Sequence, residues 1–126
     1  MPEEPWTAPR SRFAGLPELP PREDAPAHVL QGHAVLLGAL LAATERSGGV
    51  EGQTVADDEV AAALGLFEDM RTALDRLEAQ VVIEARRRGM EWRQIAGHQG
   101  MKSSQAASQR YQRLVTRLEE IRQGIR

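Results

Sequence analysis

Apolar residues recur at helical spacing along most of the chain after residue 26. In the first such segment, about 27–46, leucines at 30, 37, 40 and 41 share one side of a helix, and Gly48-Gly49 supply a stop. The apolar face is broad, which predicts that this helix is mostly buried. No segment alternates apolar and polar residues convincingly, so the pattern predicts an all-α helical bundle with little or no sheet.

Two more helices are predicted in the middle of the chain. The first is short, about 57–64, because three acids at its start (57–59) suit a helix N-terminus and Gly65 follows as its end. The second runs from about 68 to 88, ends before Gly89, and carries one stripe with steps of three and four residues: Phe67, Met70, Leu74, Leu77 and Val81.

The last two helices are predicted at about 91–98 and from Ser103 or Ser104 to about 123. Gly100-Met101 forms the turn between them, and a serine hydroxyl caps the final helix. Along that helix an a/d stripe comprises Tyr111, Leu114, Leu118, Ile121 and Ile125. This stripe is either a coiled-coil seam for a two-fold homodimer or a face that folds back on the body.

Proline and charge divide the chain into regions. All seven prolines lie in the first 26 residues, so 1–26 is predicted to be a disordered tail. Trp6, Phe13 and Leu16 interrupt this tail, which is either a plain linker, a short partner-binding segment or a strap that docks on the body.

The near-neutral total charge of −2 hides a strong asymmetry. Residues 1–83 hold six Arg and fourteen Asp or Glu, whereas residues 84–126 hold ten Lys or Arg and four Glu, which gives −8 and +6. We interpret 27–83 as an acidic helical region for packing or dimerisation. The basic region, 84–126, is expected to meet a polyanion.

The stretch 92–111 reads as a short helix, a glycine turn, a serine cap and a second helix, the order of a helix-turn-helix. Ala96 and Ala106 or Ala107 allow the two helices to approach closely. Gly100 can take the left-handed conformation that the turn needs, and Met101 is expected to enter the shared core.

With Trp92-x-x-Ile95-Ala96 before the turn and Gln105-Ala106-Ala107-x-x-Arg110-Tyr111 after it, this segment resembles the helix-turn-helix of bacterial transcription regulators. It is closest to the form found in region 4 of sigma factors. The resemblance covers about 74–118 and departs from the family pattern at Gln99, where such motifs usually place a buried leucine.

The resemblance implies a DNA-binding regulator whose recognition helix starts near Ser103. Glutamine can pair with adenine and arginine with guanine in the major groove, while serine and lysine suit phosphate oxygens. Arginines before the turn would flank the groove and neutralise phosphates. The candidate DNA-binding residues are Arg86, Arg87, Arg88, Arg93, Lys102, Ser103, Ser104, Gln105, Ser108, Gln109 and Arg113.

A weaker copy of the same pattern lies at about 57–80, where Val60 to Leu66 parallel Ile95 to Met101. This front copy resembles the helix-turn-helix of winged-helix regulators. Its outer helix opens with Glu68 and Asp69, which would repel phosphates. We therefore interpret it as a packing, dimerisation or protein-contact module. Alternatively, the likeness is only the pattern that any two helices joined at a glycine share.

Catalytic and cofactor chemistry find little support in the sequence. There is no cysteine, His28 and His33 are too far out of phase for one helical metal site, and no phosphate loop, nucleophile elbow or HExxH pattern occurs. We therefore expect a non-enzyme without metal or cofactor, not bound to a membrane and located in the cytoplasm, at the nucleoid if it binds DNA.

Two alternatives to a sequence-specific regulator stay open. One is a protein–protein interaction module that acts on the transcription machinery through the tail or the acidic front. The other is a nucleoid-associated protein that binds DNA without sequence preference, mainly through its arginines.

Overall fold

A computed structural model describes residues 11–16, 22–46 and 55–124. These residues form a short 3₁₀-helix, Ser11–Phe13, and four α-helices: α1, Pro26–Arg46; α2, Asp57–Arg87; α3, Trp92–His98; and α4, Ser104–Arg122. No strand occurs within the described residues. The prediction of an all-α protein is confirmed, and the bounds of α1, α3 and α4 agree with the predicted ones to within a residue or two.

The predicted helix end at Gly65 is wrong. Residues 57–87 form one continuous helix of 31 residues. A glycine inside a helix costs only about 1 kcal/mol relative to alanine, and the neighbouring Ala61 to Leu64 are strong helix formers that outweigh it. The front copy of the motif therefore lacks its turn, and the interpretation of 57–80 as a second helix-turn-helix loses its basis.

Genuine helix ends occur at two corners that share the pattern Ala-x-x-x-Gly-Met, at 85–90 and 96–101. Gly89 and Gly100 take φ values of +84° and +71°, the left-handed region that favours glycine. In each corner the methionine N–H donates to the alanine carbonyl, at 3.0 Å and 2.8 Å respectively. Both corners are Schellman motifs, which end α2 and α3 and return the methionine towards the core.

The core lies where the second half of α2, α3 and α4 meet. Four buried residues form its centre: Val82, Ile95, Ala96 and Ala107. Five partly buried side chains surround them: Ala85, Met90, Trp92, Met101 and Tyr111. The expected inward positions of the predicted helix-turn-helix are thus confirmed, including Met101, and small alanines at 96 and 107 let α3 and α4 pack closely.

Among the described helices, α2 is the only one that the first helix, α1, packs against. None of its residues is buried, so the prediction that this helix is mostly buried is wrong. A helix with one helical neighbour can cover only one stripe of its surface, whatever its apolar content. By length and composition α1 could cross a membrane, a property that core helices and signal sequences share.

Several sequence-based predictions fall on residues outside those described. They concern Trp6 and most of the tail, the Gly48-Gly49 stop, and Ile125 at the end of the final stripe. Within the described part of the tail, Phe13 and Leu16 are both exposed.

Candidate nucleic-acid interface

The start of α4 is built by a serine cap. Ser103 has an extended backbone with φ −150°, and its Oγ accepts a hydrogen bond of 3.1 Å from the N–H of Ala106. The first turn of α4 holds no acidic residue, and Lys102 lies exposed immediately before it. The N-terminus of α4 is therefore an exposed, electropositive helix end.

Three exposed side chains lie beyond it at intervals of four residues: Gln105, Gln109 and Arg113. Residues four apart lie one above another on a helix, so these three form a line along α4, here called the α4 row. Gln109 and Arg113 also border the same shallow depression on the surface. The α4 row is thus an outward-facing line of amide and guanidinium groups.

The two serines near the row differ in their availability. Ser104 is exposed at the first position of α4. Ser108 is half-buried, and its hydroxyl donates to the carbonyl of Gln105 at 3.3 Å. The Ser108 donor is used within the helix, so of the two serines Ser104 is better placed to meet a ligand.

The arginines at the end of α2 have local partners. Arg86 donates to the carbonyl of Met90 at 3.0 Å, and its guanidinium carbon lies 5.2 Å from the centre of the Trp92 ring. Arg87 and Arg88 reach the carboxylate of Glu84 at 3.3 Å and 2.9 Å. The hydrogen bond from Arg88 lowers the pKa of Glu84 below its ordinary value.

The structure separates the predicted site residues into two groups. Trp92 contacts Tyr111, with ring centres 5.8 Å apart, and Arg86 lies over the Trp92 ring. The corner at 85–90 that holds Arg86, here called the Arg86 corner, is therefore on the Tyr111 side of α4. Tyr111 is two residues from both Gln109 and Arg113, a rotation of roughly 200° on a helix. The α4 row therefore lies on a different side of α4 from the Arg86 corner.

Arg93 lies on α3 and belongs to neither group. Its side chain is 85% exposed, and its nearest carboxylate is Glu91 at 4.0 Å, the outer limit of an ion pair. Its charge is therefore largely available to solvent or to a ligand.

Sequence reasoning missed a junction centred on Glu78 of α2. Arg110 donates to both carboxylate oxygens of Glu78, at 2.6 Å and 2.8 Å, and the amide of Gln99 donates to one of them at 3.3 Å. The hydrogen bond from Arg110 is the main reason that the pKa of Glu78 lies below its ordinary value. Gln99, where the family pattern has a buried leucine, here makes a polar link from the turn to α2.

A second junction lies seven residues further along α4. Arg117 donates to Asp75 at 3.0 Å and to Glu68 at 2.8 Å. The sequence carries one signal for these junctions, the seven-residue spacing of Arg110 and Arg117, which places both arginines on the same face of α4. On α2 the partners lie in the reverse order, Glu78 for Arg110 and then Asp75 and Glu68 for Arg117, so the two helices run antiparallel.

Both junctions join the basic region, 84–126, to acids of the front region, and so bear on the charge asymmetry between the two. Two cations of the basic region hold α4 against acids of the front region, so part of the asymmetry serves packing. Within the described part of 84–126, Arg86, Lys102 and Arg113 make no ion pair, and Arg86 is held instead by Met90 and Trp92. The remaining two cations lie at the start of α4 and in the α4 row.

Metal binding has no support in the described part of the chain, where no group of three or more His, Asp or Glu side chains could hold an ion. No protein-family model, curated protein or solved structure matches this chain.

Proposed function

We propose that this protein is a DNA-binding transcriptional regulator, with α3 and α4 as a helix-turn-helix and α4 as its recognition helix. The observation that carries the proposal is the α4 row, a line of exposed Gln105, Gln109 and Arg113 behind an exposed helix N-terminus. Three helices around one small core support this element, as a groove-reading helix requires.

The chemistry of the row suits base edges. A glutamine amide can donate to and accept from adenine, and an arginine can donate twice to guanine. Lys102, Ser104 and the N-terminus of α4 suit phosphate oxygens on one side of the groove. Arg93 can reach a phosphate from α3 because its side chain is exposed.

The small number of unpaired cations favours sequence-specific binding over packaging of DNA without sequence preference. Non-specific binding depends on many phosphate contacts. Here Arg110 and Arg117 are committed to α2, and Arg87 and Arg88 share Glu84. Few unpaired cations beside a row of base-reading side chains fit a protein that selects its sites.

The experiment measures fluorescence anisotropy of labelled duplex DNA from a random pool, from ~50 to ~200 mM salt. The test variant changes Gln105, Gln109 and Arg113 to alanine. A matched control changes Gln31, Arg76 and Gln80 to alanine, which removes the same side-chain types and charge from exposed positions on α1 and α2.

We expect salt-sensitive binding by the wild type and the control, and clearly weaker binding by the test variant. Site selection from the pool should enrich a short motif with the wild type and none with the test variant. Equal loss in test and control would mean that charge alone drives binding and would favour a nucleoid-associated role. A folded wild type that does not bind at ~50 mM salt would overturn the proposal in favour of a protein-binding module.

A further inference from the structure

The longest helix, α2, leaves a line of large apolar side chains in solvent. Their exposed fractions are 43% for Val60, 68% for Leu64, 41% for Phe67, 55% for Leu74 and 67% for Val81. Four of the five are spaced by seven residues, so they lie on one side of the helix. We call these five residues the α2 stripe.

The α2 stripe is one half of a heptad pattern. Val60, Phe67, Leu74 and Val81 occupy one set of positions seven apart, and Ala63, Met70 and Leu77 occupy the set three residues later. The second set is half-buried, on the side where Ala63 borders α1. The first set has no helix of the described chain over it, although a seam of this kind normally packs against another helix.

The neighbouring α1 adds apolar surface to the same hairpin. It carries no Asp, Glu, Lys or Arg from Pro26 to Thr44, and none of its residues is buried. Leu41 is 61% exposed. A pair of helices without charges on one member and with an open heptad seam on the other is typical of half of a four-helix bundle.

We propose that the α2 stripe is the interface of a homodimer, in which the α1–α2 hairpins of two copies pack together as a four-helix bundle. A second copy brings a seam of the same length and spacing, as a two-fold interface requires. This inference is independent of DNA binding.

The area of the patch fits a second copy. The five exposed fractions amount to a little under three fully exposed residues. With ~150 Å², the lower figure for a large side chain, the stripe offers roughly 400 Å² of apolar surface. A standard interface buries ~800 Å² per partner, of which roughly 500 Å² is apolar in homodimers. The stripe therefore supplies most of the apolar area of an interface of standard size, and exposed apolar residues of α1, among them Leu41, add to it.

The competing seam in α4 is already occupied. Leu114 is buried, and Tyr111, Leu118 and Ile121 are half-buried within the single chain. Of the two interpretations of that stripe, folding back on the body is the one that the structure shows. The candidate dimer interface is therefore on α2 and not on α4.

The test determines the mass of the full chain without DNA by sedimentation equilibrium over a range of protein concentrations. The main variant is Leu74→Glu, which places a charge at the centre of the stripe. The matched control is Val115→Glu, which places the same charge at an apolar residue on α4 that is 41% exposed. Far-UV circular dichroism confirms that each variant keeps its helices.

We expect a wild-type mass of twice 13.9 kDa, the same for Val115→Glu, and 13.9 kDa for a helical Leu74→Glu variant. A dimer that survives Leu74→Glu would overturn the proposal, since another surface would then hold it. A monomeric wild type at every concentration would overturn it too. If removal of residues 1–21 then produced a dimer, the tail of the chain would be the occupant of the stripe. Should Leu74→Glu destroy helicity, Leu74→Ala replaces it and should weaken the dimer at least tenfold.

Discussion

At the scale of single residues, Glu78 joins three elements that are distant in sequence. It lies on α2, accepts two hydrogen bonds from Arg110 of α4, and accepts a third from Gln99 at the end of α3. Its side chain is only 19% exposed, so water replaces these donors poorly. The orientation of the proposed recognition helix therefore depends on one carboxylate outside the helix-turn-helix itself.

This contact predicts a pH dependence of stability. Since the folded protein lowers the pKa of Glu78 from its ordinary 4.5, the ionised carboxylate stabilises the fold above that value. This stabilisation is lost as the pH falls through the lowered pKa. At pH ~7 we expect Glu78→Gln to reduce the free energy of unfolding by about 1 kcal/mol, a figure that allows for the half-exposed Arg110.

Urea unfolding of wild type and Glu78→Gln at several pH values between 7 and 3 measures this effect. The difference between the two proteins should shrink as the pH falls below the ordinary pKa. Glu84→Gln is the control, because Glu84 is also paired with arginine but within one exposed helix end, and should change stability much less. A difference for Glu78→Gln that stays constant down to pH 3 would contradict the assigned role of its charge.

At the scale of elements, two glycines with similar sequence surroundings have opposite roles. Gly65 lies inside α2 and Gly100 stands beyond the end of α3, although each comes five residues after a β-branched apolar residue, Val60 or Ile95, that is followed by alanine. Only Gly100 has a positive φ, of +71°. The difference lies in the next residue along the chain, because Met101 has a core site to enter and Leu66 continues a helix supported by α1.

Alanine at these two positions should therefore change stability in opposite directions. Gly65→Ala should stabilise the protein by about 0.5–1 kcal/mol, since an added methyl group there meets no atom within 4 Å and alanine favours helix. Gly100→Ala should destabilise it by about 1–2 kcal/mol, because the left-handed conformation strains any side chain. Urea unfolding at pH 7 measures both, and a destabilising Gly65→Ala would indicate that α2 breaks there after all.

These elements show how far sequence reasoning reaches. Periodicity and capping predicted α3, α4 and the end of α2 closely because local rules fix them: a serine cap at Ser103 and glycine ends at Gly89 and Gly100. The same rules failed at Gly65, where a cost of about 1 kcal/mol is outweighed by the helix around it. Burial of α1 was predicted wrongly because it depends on how many neighbours a helix has, which its own sequence does not state.

The candidate site was predictable to a similar degree. The exposed positions of Gln105, Gln109 and Arg113 follow from the phase of α4, which its apolar stripe sets. The commitment of Arg110 and Arg117 to α2 depends on the antiparallel packing of two helices separated by the α3 turn, and composition alone counted both as part of a basic surface.

At the scale of the whole molecule, the acidic front and the basic rear are partly one structural system. Arg117 joins Asp75, whose side chain is 14% exposed, and Glu68 on the same helix. Arg113, four residues earlier on α4, has no such partner within the described chain and faces outward. Of two arginines one helical turn apart, Arg117 is therefore used in folding and Arg113 stays available for the proposed contact with DNA.

Alanine variants of the two arginines should therefore affect different properties, stability for Arg117 and DNA binding for Arg113. Arg117→Ala should lower the free energy of unfolding by about 1 kcal/mol, because it removes the partner of Asp75 and leaves Glu68 with Arg71 alone. It should leave the salt dependence of DNA binding unchanged. Arg113→Ala should change the free energy of unfolding by less than about 0.5 kcal/mol. If Arg113 contacts a phosphate, the variant should reduce the slope of log K against log salt by about 0.9. If Arg113 contacts a base, the variant should abolish the preference for guanine at one position.

Urea unfolding and salt-dependent anisotropy on the same two variants test this together. If both variants reduced the salt slope equally and neither changed stability, the rear of the molecule would act as one undivided basic surface. The net charge of 84–126 would then be an electrostatic footprint for DNA. If only Arg117→Ala destabilises and only Arg113→Ala alters binding, the charge asymmetry serves the fold first, and contact with DNA is left to the few cations that the fold does not use.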